Sequence, residues 1–167
     1  IVLTALEAGL DWSTLVNDTP ITMTSDSGEL WTPRNYDGKT RGELPMIRAL
    51  AMSLNLAMVD LGNTVSLGEV QRRFTDLTGY APKNRYPSFF LGAESMSPLQ
   101  LTELYGNFAS GGFHTTPKAV IAVLNERGQA LSHHPFDLTQ SIRPETVASL
   151  NRGLEIVMSH GTGRSSP

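Results

Sequence analysis

Apolar residues recur at helical spacing along much of the chain, and this pattern predicts a mostly helical fold. The predicted helices cover residues 1–8, Ser66 to Gly79, Ser97 to Gly111 and Pro144 to Ser159. Two of them open with a capping box, Ser66 with Glu69 and Ser97 with Gln100. The stripes predicted to face the core are Leu101, Leu104, Tyr105 and Phe108 on one helix, and Val147, Leu150, Leu154 and Val157 on another.

The segments between these helices predict only short strands. Residues 21–24 and 29–31 are expected to pair across Ser25–Gly28, and residues 118–125 and 130–132 to pair around Arg127-Gly128. The long segment 11–43 is rich in turn formers and is predicted to be irregular. A connection of that length inside a compact domain usually has a task, such as covering a site.

The segment from Arg48 to Gly62 is apolar on almost every side, so it is predicted to lie in the core. Ser53 and Asn55 interrupt it. On one continuous helix these two side chains would point about 200° apart. In one interpretation they lie in a core helix with local hydrogen bonds. In the other, one helix runs from about Pro45, its first residue, to Met52, a second starts near Leu56, and the corner carries both side chains into a common cleft.

Composition narrows the function classes. The chain has 167 residues, of which 40% are hydrophobic and 17% charged, so it can build a core. A net charge of -3 and a pI near 5.8 argue against nucleic-acid binding. The absence of cysteine excludes disulfides and thiolate chemistry. No apolar run approaches the ~20 residues of a membrane span, and no signal peptide is recognised. Both ends interrupt a pattern, so we expect a piece of a longer protein.

The remaining polar motifs have simpler structural interpretations. His133-His134 with Asp137 would make a poor metal site, because neighbouring side chains of a strand point to opposite faces. No metal or cofactor is therefore expected. Gly161-Thr-Gly163 is interpreted as a helix stop. A second Ser-x-Asn pattern, Ser149-Leu-Asn151, is assigned to the polar face of the last helix.

The segment from Tyr36 to Gly62, above all Arg48-Ala-Leu-Ala-Met-Ser-Leu-Asn55, resembles the transpeptidase domain of class A penicillin-binding proteins. The resemblance is strongest to the bifunctional one-b group of Gram-negative bacteria. Further matches follow in the family's order: Leu3-Thr-Ala-Leu6, Trp31-Thr-Pro33, Leu91-Gly-Ala93, Ser97-Pro98, Ala109-Ser-Gly-Gly112 and Gly161-Thr-Gly-Arg164. The resemblance therefore covers nearly the whole chain.

The family's site combines Ser-x-x-Lys, Ser-x-Asn and Lys-Thr-Gly motifs. Only the second is present, as Ser53-Leu-Asn55. The resemblance implies that residues 1–167 are a partial transpeptidase domain, between the first and third motifs. The expected fold is mostly α with small β-hairpins. It is the helical part of the α+β fold shared with serine β-lactamases, with most of the central sheet outside this chain.

The resemblance also implies serine acyl transfer on the D-Ala-D-Ala end of a peptidoglycan stem peptide. Ser53 would relay a proton, Asn55 would bind substrate and hold the catalytic lysine, and Tyr36 would lie on the cleft rim and contact substrate. β-Lactams would acylate the same nucleophile. The complete protein would carry a glycosyltransferase domain and act, membrane-anchored, on the periplasmic side of the inner membrane.

The residues leave two alternatives to the transpeptidase interpretation. A serine β-lactamase-like hydrolase would use the same three motifs, and a non-catalytic helical interaction module would use none. The chain alone is expected to be inactive, and its uncovered apolar surface could lead to self-association.

Overall fold

The computed structural model describes residues 1–24, 28, 30–114, 116–133 and 138–165. Helices dominate this part of the chain, as predicted. The α-helices are α1 (Val2–Glu7), α2 (Met46–Ala51), α3 (Asn55–Val65), α4 (Leu67–Thr78), α5 (Pro98–Ala109) and α6 (Pro144–His160), and short 3-10 helices cover Pro87–Leu91 and Thr162–Ser165.

The strands form four antiparallel pairs and no larger sheet within the described ranges. β1 (Leu15–Asp18) pairs with β4 (Gly42–Pro45), β2 (Met23–Thr24) with β3 (Leu30–Trp31), β5 (Phe113–His114) with β8 (Thr139–Gln140), and β6 (Ala122–Leu124) with β7 (Ala130–His133). Both predicted hairpins are confirmed. Of the turn predicted for the first, residues 25–27 lie outside the described residues.

The pairing of β1 with β4 corrects the prediction that residues 11–43 are irregular. Val16 and Asp18 are the buried positions of β1, so one of the two inward side chains is a carboxylate. A charged residue at a buried position conceals the alternation that would predict a strand. The predicted start of α2 at Pro45 is also wrong. Pro45 ends β4 opposite Leu15, and α2 begins at Met46.

α3 lies at the centre of the fold, as its apolar sequence predicts. Its Leu61 belongs to the main core, together with residues of α1, α2, α4, α6, β1 and β4. Its Val59 packs in a second cluster with Val70, Phe89 and Phe90. A Cβ atom at Gly62 would lie 2.7 Å from the Phe90 ring, so glycine is required for this close approach. A helix surrounded in this way gives its first turn a rigid support.

The two predicted capping boxes differ. At the start of α5, Ser97 and Gln100 each accept a hydrogen bond from the other's backbone, so that box is complete. At the start of α4, Ser66 accepts from the Glu69 backbone, but the carboxylate of Glu69 pairs with Arg72 instead of returning to Ser66. The predicted helix starts are correct at both places.

The predicted core stripe of α5 is only half correct. Leu104 and Phe108 pack against the core, whereas Leu101 and Tyr105 are 46% and 53% exposed. The packed face of α5 is centred on the fully buried Asn107, whose amide donates to the carbonyl of Leu77 on α4. Leu101 and Tyr105 therefore form an uncovered apolar surface. Among the described residues, no helix is long and apolar enough to cross a membrane.

Candidate active site at the corner between α2 and α3

The chain turns a corner between α2 and α3, so the interpretation as one continuous helix is wrong. α2 ends at Ala51 and α3 begins at Asn55. Between them Leu54 is extended, with φ -81° and ψ 110°, and only 3% exposed. At this corner Leu54 is buried, whereas Ser53 is exposed and Asn55 is partly exposed, so these two side chains lie on its outer side.

Ser53 has a backbone conformation that is uncommon for a residue with a Cβ atom. Its φ is +53°, in the left-handed region. Ser66 also has positive φ, but its side chain caps α4. The hydroxyl of Ser53, in contrast, makes no hydrogen bond within the described part of the chain, and the residue is exposed. The backbone conformation itself belongs to the end of α2, because the N–H groups of Ser53 and Leu54 donate to the carbonyls of Leu50 and Ala49. The exposed hydroxyl is what makes Ser53 a candidate.

Ser53 and Asn55 line one cleft, as the interpretation with two helices and a corner predicts. The cleft has a volume of about 380 Å³, and its lining residues are Tyr36, Asp37, Arg41, Met52, Ser53, Leu54, Asn55 and Thr162. Tyr36 is fully exposed, as expected for a rim residue. The structure therefore brings the three residues selected from the sequence to one place.

Asn55 is oriented by a contact with the preceding loop. Its Nδ2 donates to the carbonyl oxygen of Arg34 at 2.8 Å. A carbonyl can only accept, so this contact determines which end of the amide faces Arg34. Its Oδ1 has no partner within the described ranges. The amide can therefore offer an acceptor to a ligand while its donor end is held by the protein.

The charged residues of the cleft neutralise each other. Arg41 donates to Asp37 at 2.6 Å, and this hydrogen bond lowers the pKa of the Asp37 carboxyl. Arg41 also lies 3.8 Å from the buried carboxylate of Asp18. A carboxylate held in this way is a weak base, and arginine stays protonated at neutral pH. No described residue of the cleft is thus suited to take a proton from a serine hydroxyl.

The turn that follows α6 also lines the cleft, through Thr162. α6 ends at His160, which confirms the interpretation of Gly161-Thr-Gly163 as a helix stop. A Cβ atom at Gly161 would lie 2.3 Å from the carbonyl oxygen of Ala51, the last residue of α2. This close approach places Thr162 in the cleft. The sequence offered no local signal for Thr162, because its place depends on a contact between distant helices.

The second Ser-x-Asn pattern has a structural task instead. The Trp12 indole donates to Ser149 Oγ at 2.8 Å, and Asn151 Nδ2 donates to the carbonyl of Phe108 at 3.0 Å. Both residues are half-buried, so the polar face of α6 to which they were assigned is partly covered by other elements. The amphipathic pattern could not show that β1's preceding loop and α5 pack over this side.

The histidine pattern cannot be placed. His134 and Asp137 lie outside the described residues, and so does the side chain of His133. The described residues contain no cluster of three His, Cys, Asp or Glu side chains that could hold a metal ion.

The chain is 31% identical over 153 residues to penicillin-binding protein 1B of Vibrio cholerae, an alignment that covers 91% of this chain and 20% of that protein. The chain is homologous to part of the class A penicillin-binding proteins. It spans about a fifth of the length of the curated relatives it matches. No family model matches it.

Solved penicillin-binding proteins share the fold. Penicillin-binding protein 1A of Haemophilus influenzae superposes with a TM-score of 0.81 at 20% identity, covering 96% of this chain and 29% of that one. Penicillin-binding protein A of M. tuberculosis, solved as an imipenem acyl-enzyme complex, superposes with a TM-score of 0.78 at 18% identity. The superposition covers 99% of this chain and 43% of that one. The predicted fold, a partial penicillin-binding fold that is mostly helical, is confirmed.

Proposed function

We propose that this chain is part of a peptidoglycan D,D-transpeptidase, in which it supplies the Ser-x-Asn motif as Ser53 and Asn55. The observation that supports this most directly is the α2–α3 corner, which presents both side chains to one cleft. Homology to class A penicillin-binding proteins supplies the reaction class. The nucleophilic serine, its lysine and the Lys-Thr-Gly motif would come from parts of the complete protein outside residues 1–167.

The proposed reaction is a double displacement at the D-Ala-D-Ala bond. The nucleophilic serine attacks the carbonyl carbon, its proton passes to the neighbouring lysine, and the C–N bond to the last D-alanine breaks. The leaving nitrogen takes up a proton through the hydroxyl of Ser53. A hydroxyl is suited to this relay because it donates and accepts at the same time. An amine of a neighbouring stem peptide then attacks the acyl-enzyme, which forms the cross-link and releases the serine.

Asn55 would act as an uncharged binding group. An amide offers both a donor and an acceptor at every physiological pH, and here the contact with Arg34 already orients it. Its free Oδ1 is suited to accept from the catalytic lysine or from a substrate amide. Tyr36, fully exposed on the rim, would contact the stem peptide. β-Lactams would react at the same nucleophile because they imitate the D-Ala-D-Ala bond.

The wider setting follows from the same proposal. The complete protein would carry a glycosyltransferase domain, be anchored in the inner membrane and act on its periplasmic side. No metal or cofactor takes part in the proposed chemistry. The exposed Leu101 and Tyr105 would be a site of self-association when residues 1–167 are produced alone.

The two Ser-x-Asn patterns provide a matched test in the complete protein. Asn55→Ala is expected to slow acylation by a labelled penicillin on the order of 10²-fold, the usual effect of removing one well-placed polar group from a site. Its thermal stability should fall much less than its acylation rate, since the half-buried Asn55 loses a single hydrogen bond, to the carbonyl of Arg34. The measurements are the second-order acylation rate constant and the melting temperature.

Ser149→Ala is the control, and it should show the opposite behaviour. It leaves the half-buried Trp12 indole without its acceptor, which costs about 1–3 kcal/mol of stability. Acylation should remain at the wild-type rate because Ser149 does not line the cleft. Equal effects of the two substitutions on acylation would show that Ser53-Leu-Asn55 is not the functional pattern.

A further inference from the structure

Asn35 is a buried polar residue next to the cleft, and the sequence patterns gave it no role. It is only 6% exposed. Its Nδ2 donates to Asp18 Oδ1 at 2.7 Å and to the carbonyl of Lys39 at 2.8 Å. Its Oδ1 accepts from the backbone N–H of Leu56 at 3.2 Å. One side chain thus joins β1, the loop before β4 and the first turn of α3.

The contact with Leu56 acts as a helix cap supplied from another part of the chain. The first N–H groups of a helix have no partner within it, and a side-chain oxygen close by usually accepts one of them. In α3 the residue at the capping position is Leu54, whose side chain cannot accept. Asn35 Oδ1 takes its place by bonding the second residue of the helix.

The neighbouring contact runs in the opposite direction. Asn55 Nδ2 donates to the carbonyl of Arg34, the residue before Asn35. The two hydrogen bonds therefore tie residues 34 and 35 to the first two residues of α3 reciprocally. Because the Arg34 carbonyl is held by its link to Asn35, the direction of the Asn55 amide depends on the Asn35 side chain. Tyr36 follows directly and is placed on the rim by the same anchor.

The carboxylate of Asp18 stabilises this arrangement through hydrogen bonds to Asn35 and Arg41. It is fully buried, and its Oδ2 accepts from the backbone N–H of Arg41 at 2.9 Å while its Oδ1 accepts from Asn35. The loop that carries Tyr36 and Asp37 is thus held at both ends by one carboxylate. A rigid support of this kind can keep a binding amide in its productive orientation.

We infer that Asn35 is a positioning residue that acts through Asn55: it fixes the Arg34 carbonyl against the start of α3 and thereby orients the Asn55 amide in the cleft. The inference rests on the proposed function, since it concerns the same site. It assigns Asn35 no contact with substrate.

The test is a double-mutant cycle of Asn35→Ala and Asn55→Ala in the complete protein, read by the acylation rate constant with a labelled penicillin. Asn35→Ala alone should slow acylation roughly 10- to 100-fold, because a misplacement of about 1 Å at a site can cost that much. In the Asn55→Ala background it should change the rate by no more than about twofold, since its effect passes through Asn55. A general structural defect would instead slow both backgrounds equally.

Asn107→Ala is the matched control. Asn107 is also a buried asparagine whose amide donates to backbone carbonyls, those of Leu77, Glu103 and Leu104, and accepts one hydrogen bond, from Ser141. It lies on α5, away from the cleft lining. Asn107→Ala should lower the melting temperature by about as much as Asn35→Ala does. It should leave the acylation rate constant within about twofold of wild type.

The outcomes separate the inference from the function it rests on. If Asn55→Ala does not slow acylation, the proposed role of the corner fails first. If Asn55→Ala slows acylation and Asn35→Ala slows it equally in both backgrounds, only the positioning role is overturned. If Asn35→Ala does not fold, Asn35→Ser replaces it in the cycle, because its single hydroxyl donor cannot replace both donated hydrogen bonds and it adds no second carboxylate beside the buried Asp18.

Discussion

Gly161→Ala should displace the end of α6 from the corner that carries Ser53. A Cβ atom at this position would lie 2.3 Å from the carbonyl oxygen of Ala51, where ordinary contacts begin at 3.4 Å, so the two backbones must separate by about 1.1 Å. The φ of Gly161 is -108°, which any residue adopts, so the effect is steric and not conformational. Both partners are backbone, and neither can rotate away.

The expected magnitude follows from the cost of overpacking. Inserting a methyl group into a close contact costs about 1–3 kcal/mol. For a domain of this size each kcal/mol lowers the melting temperature by roughly 2–4 °C. Acylation by a labelled penicillin in the complete protein should slow as well, by roughly 10- to 100-fold, because the displaced atoms adjoin Ser53 and Thr162.

Gly68→Ala is the control for this experiment. Gly68 is on α4, is exposed, and has no atom within 4 Å of the position where a Cβ would lie. Alanine is favoured over glycine in helices, so this substitution should be neutral or add up to about 1 kcal/mol of stability. If Gly161→Ala has the same melting temperature and the same acylation rate as Gly68→Ala, the close approach of α6 to α2 does not hold the corner in place.

Two further predictions concern Ser53. Residues 1–167 produced alone should gain no mass after incubation with excess benzylpenicillin, as measured by intact-mass spectrometry. Acylation needs a nucleophile and a base together, and the nearest basic residues, Arg48 and Arg41, stay protonated. A gain of one whole penicillin on Ser53 would contradict the relay role. In the complete protein, Ser53→Gly and Ser53→Ala should slow acylation equally, but the glycine variant should be more stable by up to about 1 kcal/mol because φ is +53°. Equal melting temperatures would refute this account of the backbone.

Much of the site could be predicted because its main signal is local. Two polar residues in a segment apolar on almost every side predicted either buried hydrogen bonding or a corner, and the opposed directions of Ser53 and Asn55 on an unbroken helix favoured the corner. The extended, buried Leu54 explains why the corner forms: its side chain is drawn into the core while Ser53 and Asn55 are left outside. Helix starts at Ser66 and Ser97 were predictable for the same reason, since caps involve neighbouring residues.

The wrong predictions have one physical cause: contacts with residues far away in the chain decide which side chains are buried. β1 was missed because Asp18 occupies a buried position, where only hydrogen bonds from Asn35 and Arg41 make a carboxylate acceptable. Leu101 was wrongly assigned to the core, and the partial cover over Ser149 was not foreseen, because a pattern predicts an amphipathic helix but not which of its sides a distant element covers.

The sequence by itself determined that α1, α4, α5 and α6 are helical, where α4 and α5 begin, that α3 is central, and that Ser53 and Asn55 are the residues to examine. Those properties depend on spacing within one or two turns of chain. Only the tertiary structure decided that Asn35 caps α3, that Gly161 touches α2, and that Thr162 joins the cleft. These contacts unite residues far apart in the chain, and they exist only after the core has brought their elements together.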